Sequence, residues 1–207
     1  MLFNPKKSLC CHFGSLTSKI SAMRLGHLTI DWVNSFKYLG LTFMSGQKFD
    51  IDLNFIKRKY YAACNSILSR SHRCDDLVKL HLVKSFCLPL LTYCLGALDI
   101  NRYKIKDLGV CWNDSFRKIF GFQRWESVKE LQYYLGELPF EFTYDLFRWK
   151  FLTKSIYLSD SIQLLVNISN LQFNHVSKIT HTYGEDVLNT YEMVVSVENA
   201  FRRLFDT

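Results

Sequence analysis

The apolar positions of this chain change their period near residue 50. Before it they fall in short runs bounded by glycine; after it they recur every three or four residues. A period of two marks strands and a period near 3.6 marks helices. Strands are therefore predicted at residues 9–13, 25–30 and 36–43, punctuated by Gly14, Gly26, Gly40 and Gly46. From Asp50 onward, Leu53, Ile56, Tyr60, Ala63 and Ile67 predict a first helix, with Asp50 or Asp52 capping its start. A second opens at Asp75-Asp76 and runs through Leu77, Leu80, Val83 and Phe86; Pro89 must kink or end it. A third runs from about Lys104 through Leu108, Cys111, Trp112, Ser115 and Ile119, and Gly121 stops it. A fourth covers 127–135 and ends at Gly136. Pro139 opens a fifth, with Tyr144, Phe147, Phe151 and Ile156 as its apolar stripe. A short helix at 160–168, a polar loop over 169–183 and a last helix over 185–205 complete the pattern. The expected fold class is α+β, mainly helical. A small antiparallel β unit, about residues 8–43, precedes a bundle of helices.

Composition supports a packed chain. It has 207 residues, 48% of them hydrophobic and 15% aromatic, with only three prolines, so a core and long helices are expected. The net charge is +7, and the surplus sits at the front. Residues 1–50 hold 6 Lys+Arg against 2 Asp+Glu, whereas residues 151–207 hold 4 against 6. Such a front suits a polyanion, because contacts to phosphates release counterions; a merely soluble basic surface fits the same numbers. The seven cysteines form no Cys-x-x-Cys pair, and Cys10-Cys11-His12 lies on strand-like sequence whose neighbours face opposite sides. Free thiols in a reducing, intracellular compartment are expected, either cytoplasmic or nuclear. There is no secretory pattern, and the apolar run at 88–98 is too short for a bilayer, so no membrane partner is expected. His12, His27, His72 and His81 show no spacing for a dyad or a metal site.

Five segments share one order with a known family. Asn4-Pro5-Lys6-Lys7-Ser8 is followed by Phe36-Lys37-Tyr38-Leu39-Gly40-Leu41-Thr42-Phe43. Then come Lys57-Arg58-Lys59-Tyr60-Tyr61-Ala62-Ala63-Cys64-Asn65, the run Val83 to Tyr93, and Trp112 to Phe120 with Trp125-Glu126-Ser127-Val128. Over residues 3–155 this order resembles the reverse transcriptase of non-LTR (LINE-type) retrotransposons from the end of its palm onward. The resemblance implies an end of palm with a primer-grip β-hairpin at 1–50 and thumb-like helices at 51–100. It implies a post-thumb helical region at 101–158, and it leaves 159–207 as an unrecognised helical tail.

The resemblance also implies roles. Lys7 matches a lysine proposed to protonate departing pyrophosphate, and would be a relic general acid here; a solvated Lys6-Lys7 pair is the plainer reading. Tyr38, Leu39 and Gly40 match the primer grip, where glycine lets backbone approach the sugar-phosphate. The same hairpin reads equally as packing. Lys57, Arg58 and Lys59 match phosphate contacts that position a duplex without reading its sequence; a solvated helix face fits as well. The intact family uses magnesium bound by an aromatic-x-Asp-Asp motif. That motif is expected ahead of residue 1, so neither cofactor nor catalytic residue is expected within the chain. Asp75-Asp76 is a decoy: Arg73 stands at the aromatic position, and the pair opens a helix. Trp112, Trp125 and Trp149, near Arg117, Arg124 and Arg148, suit base stacking but fit core positions better. The functional expectation is an inactive polymerase remnant that keeps primer–template binding. The alternatives are a non-enzymatic interaction domain, self-associating through apolar surface left exposed, or a relic product without a selected role.

Overall fold

The computed structural model describes residues 4, 7–15, 21–48, 50–98, 100–156, 181–183 and 190–205. The chain is α+β and mainly helical, with small antiparallel sheets ahead of a helical region. It divides into two compact units, Met1–Phe55 and Ile56–Thr207.

The first unit holds two sheets. β1 (Met23–Leu25) and β2 (Leu28–Ile30) form a hairpin, and β3 (Ser35–Tyr38), β4 (Leu41–Met44) and β5 (Asp50–Asp52) form an antiparallel sheet in that order. Residues 25–30 and 36–43 are thus hairpins where single strands were expected. Each is broken by a two-residue turn, Gly26-His27 and Leu39-Gly40, that propensity alone does not reveal. Residues 9–13 form no strand; only Cys10 and Phe13 make isolated parallel bridges, to Trp32 and Gly46. The register of β3–β5 explains its alternation. Phe36, Tyr38, Leu41, Phe43 and Ile51 share one face, and Ser35, Lys37, Thr42, Met44, Asp50 and Asp52 share the other. The Phe36 and Phe43 rings stack at 5.1 Å, and Leu41 and Ile51 are buried.

The second unit is helical: α1 (Asn54–Arg70), α2 (Asp76–Phe86), α3 (Leu88–Thr92), a 3-10 turn (Leu95–Ala97), α4 (Arg102–Phe120), α5 (Lys129–Tyr134), α6 (Phe140–Ile156) and α7 (Thr190–Arg202). Local chemistry sets the boundaries. Asp52, not Asp50, takes the Asn54 N–H at the start of α1, at 2.9 Å; Asp50 lies in β5. Asp75 caps α2 by accepting the Leu77 N–H at 2.8 Å, and Asp76 pairs with Lys79 at 2.7 Å. α2 stops before Pro89, which starts α3. Gly121, at φ 75°, ends α4. α5 is shorter than the expected 127–135. The expected helix at 160–168 lies outside the described residues, as do 184–189, so the last helix is described only from Thr190.

α4 is the centre of this unit, burying Ile105, Leu108, Cys111, Trp112, Ser115, Phe116 and Ile119 on one face. α2 and α6 pack against it. Two expected stripes are corrected. Leu80 and Val83 of α2 are buried, but Leu77 and Phe86 are exposed. On α6 the buried positions are Phe140, Tyr144, Asp145, Arg148, Trp149 and Leu152, while Phe147 and Phe151 face outward. α6 buries a charged pair because each has partners. Arg148 donates to the Gly96 carbonyl at 2.8 Å, and Asp145 accepts from Tyr183 at 2.6 Å and lies 3.5 Å from Arg102. Burial pushes the Asp145 carboxyl above its usual range, opposed by the Tyr183 hydrogen bond and Arg102. Trp149 and Leu152 join Met193 and Val197 of α7 in a second cluster.

Residues Asp76–Ala97 are long and apolar enough to cross a membrane by length and composition, and 33% of an 18-residue apolar stretch within them is buried. Its turn at Leu95–Ala97 is held to α6 by a close approach. A Cβ on Gly96 would stand 2.8 Å from the Phe147 carbonyl oxygen and 3.1 Å from the Phe151 Cβ. Gly96→Ala is therefore expected to lower stability by about 1–3 kcal/mol, read as a drop in the urea midpoint with unchanged m.

Candidate nucleic-acid interface

Each unit contributes its own candidate surface. In the first, the Leu39-Gly40 turn closes β3 and β4 with both residues at positive φ, 47° and 83°. That is the sign pattern of a type I′ turn, which matches the right-handed strand twist but prefers Asn-Gly. Leucine carries a Cβ penalty there. Neither side chain at the tip offsets this by burial: Tyr38 is 60% exposed and Leu39 65% exposed. An aromatic ring, an aliphatic side chain and a glycine backbone thus stand together at the end of the β3–β4 hairpin. Behind the tip, on the polar face, Lys37 Nζ lies 4.4 Å from the Phe55 ring centroid.

Lys7 is exposed in a turn closed by its own N–H on the Asn4 carbonyl at 3.1 Å, where a strand start was expected. It lies outside both sheets. Lys6 lies outside the described residues.

In the second unit the three consecutive cations of α1 diverge, because successive residues turn about 100° around a helix. Lys57 is directed to α4 and forms an ion pair with Asp107 at 2.7 Å, with a quarter of its side chain accessible. Arg58 and Lys59 are exposed. Lys57 thus serves the α1–α4 seam, while Arg58 and Lys59 keep their side chains at the surface. Two of the three tryptophans noted beside arginines are core: Trp112 and Trp149 are buried, while Trp125 is 83% exposed. The Trp112 indole N–H is satisfied by the Leu138 carbonyl at 3.3 Å.

Among the described residues no group of three or more His, Cys, Asp and Glu side chains is placed to hold an ion. Asp75 and Asp76 are engaged in a helix cap and an ion pair. They do not fit the magnesium site that the family resemblance implies. The cysteines are free, and Cys64, Cys87 and Cys111 are buried. Burial first, then neighbouring Cys64, pushes the Cys87 thiol up to about 12, which leaves it an inert core thiol at neutral pH.

One feature had no signal in the sequence. A cleft of about 440 Å³ in the first unit is lined by His12, Trp32, Asn34, Ser45 and Gln47, among others. These residues come from three separate segments, and no spacing along the chain links them.

No protein-family model, curated protein or solved structure matches the chain. The left-handed leucine gives a direct test of the hairpin. Leu39→Asn is expected to stabilise the protein by about 0.5–1 kcal/mol, since asparagine tolerates the left-handed region. A raised thermal midpoint would show it, and a lowered one would mean that Leu39 packs.

Proposed function

We propose that the chain is a nucleic-acid-binding part of a non-LTR reverse transcriptase lineage, holding a primer–template duplex without supplying the chemistry of copying. The observation that carries this reading is the hairpin tip. Tyr38 and Leu39 are exposed, and Leu39 takes a backbone conformation that costs free energy without any compensating burial. Strain kept at an exposed position points to a contact made with something else. The tip stands in the segment that resembles a primer grip, and the exposed Arg58 and Lys59 follow it in the segment that resembles the first thumb helix. In this role the Gly40 backbone approaches the primer sugar-phosphate. Arg58 and Lys59 meet phosphates and set position without reading sequence. The excess of cations in residues 1–50 adds a long-range attraction.

Electrostatic binding of this kind has a measurable slope. Binding of a primer–template duplex should weaken with salt, and Arg58→Gln with Lys59→Gln should flatten the log–log slope by about 1 per contact removed. Lys57→Gln is the contrast. It loses an ion pair worth about 1 kcal/mol or less, and should lower stability while leaving the slope unchanged. Salt-independent binding, or a slope untouched by the double variant, would sink the reading.

A second reading, a self-associating interaction domain, is favoured by one observation: α2 exposes Leu77, Val78 and Phe86. Exposed apolar side chains are available to meet a partner. Sedimentation velocity at rising concentration should then show a dimer that Phe86→Ser abolishes; a monomer throughout excludes it.

A further inference from the structure

We infer that the cleft of the first unit is a pocket for a single unstacked nucleobase. It goes beyond the duplex contacts above and rests on different residues.

Its walls are fixed by backbone. Cys10 donates to the Asp31 carbonyl at 3.0 Å, and Val33 donates to the Cys10 carbonyl at 2.8 Å. Ser45 donates to the Asn34 carbonyl at 2.7 Å, and Gly14 donates to the Gly46 carbonyl at 2.9 Å. Three chain segments are thereby held together, and these wall amides and carbonyls are already paired. The side chains give the cleft its chemistry.

Those side chains share a chemistry. Trp32 gives an indole 37% exposed, and its Nε1–H donates to the Ser21 carbonyl at 3.2 Å. That bond fixes the ring's orientation and occupies its only donor, so the ring's contribution to a ligand is stacking. Asn34 and Gln47 each carry a donor and an acceptor on one amide, the pattern that matches the edge of a base. Ser45 adds a hydroxyl and His12 an imidazole. Among the described lining residues none is Asp, Glu, Lys or Arg. A lining without Lys or Arg offers a phosphate no fixed cation, only neutral-type donors, and suits a neutral planar heterocycle. The volume, about 440 Å³, lies within the usual range of small-molecule sites, about 300–1,000 Å³.

A saccharide would also use an aromatic face and amides. The charge of the surrounding chain decides between them. The described cations of residues 1–50, Lys7, Arg24, Lys37 and Lys48, are exposed and stand outside this cleft. A nucleic-acid strand matches both parts at once, with phosphates on the basic exterior and a neutral base inside. An oligosaccharide uses only the second.

The test uses the full chain carrying Trp125→Phe. Trp112 and Trp149 are buried, so Trp32 is then the exposed tryptophan. A six-nucleotide single-stranded DNA is titrated against its emission, beside an abasic oligomer of equal length and maltotriose. The expected result is saturable quenching by the DNA, with the abasic oligomer bound about tenfold or more weakly, the scale of one stacked base. Asn34→Ala and Gln47→Ala change exposed side chains, and each should weaken DNA binding severalfold. Trp32→Ala, read by the anisotropy of a fluorescein-labelled oligomer because it removes the emitting ring, should abolish the preference over the abasic oligomer; if circular dichroism shows it unfolded, Trp32→Phe, read in the same way and with a reduced preference, replaces it. Equal affinity for DNA and abasic oligomer, absence of quenching, or quenching by maltotriose alone would each overturn the inference. Arg58→Gln with Lys59→Gln should leave the abasic discrimination intact, so failure of the duplex reading and failure of the cleft are read separately.

Discussion

The helical unit depends on one seam, the row of side-chain hydrogen bonds between α1 and α4. Lys57 meets Asp107, Tyr61 donates to Asp114 at 2.8 Å, Cys64 lies 3.8 Å from the Ser115 hydroxyl, and Lys118 donates to Asn65 at 3.0 Å. At its centre the Tyr60 and Ser115 hydroxyls bond to each other, fully buried. Sequence separations along the row stay between 50 and 55 residues. A constant separation means that the two helices run parallel; in an antiparallel pair it would fall by several residues per turn. Leaving either central hydroxyl unpaired would cost about 1–3 kcal/mol, so the register of α1 on α4 is specified as well as stabilised. Burial pushes the Tyr60 phenol above its usual range, which keeps it neutral and a donor at all ordinary pH.

Once α1 fixes one side of α4, the rest follows from the other side of that helix. Trp112 and Phe116 pack edge to face at 5.0 Å, and the Trp112 N–H reaches the loop that starts α6. Gln132 of α5 donates to Asn113 at 3.0 Å. α6 then closes over the 3-10 turn, with Tyr144 donating to the Leu98 carbonyl at 3.0 Å and Arg148 holding Gly96. Polar groups enter this core at each junction, and each of these contacts settles a direction that apolar packing alone would leave open.

Most helices were legible because their ends carry explicit chemistry: Asp75, Pro89 and Gly121 each act through one residue's own geometry. The α4 stripe was legible because one face is buried from Ile105 to Ile119, about four turns. Stripes on α2 and α6 misread where a helix meets neighbours on an offset face, so that Phe86, Phe147 and Phe151 keep an apolar identity without burial. The front strands failed for a different reason. A run such as Phe36–Phe43 looks continuous by propensity, and only the positive φ at Leu39 and Gly40 divides it. Leucine gives no warning of a left-handed turn. Gly96 was silent because its need comes from α6, some fifty residues away in sequence. The Trp32 cleft was silent because three segments must be assembled before it exists.

Charge shows the same limit and changes the functional argument. A surplus of cations counts residues, not accessible ones. In the helical unit Lys57, Lys79, Lys84, Arg102 and Arg117 each meet a carboxylate, and Arg148 is buried on a backbone carbonyl. Paired cations still contribute to the distant field, but at contact range a phosphate would have to displace a carboxylate to reach them. In the basic segment at 57–59, Lys57 is engaged in this way, and Arg58 and Lys59 are the exposed members. At contact range the helical unit thus offers fewer cations than its composition suggests, and the hairpin unit adds an exposed tip and a neutral cleft as places to look for a nucleic-acid strand.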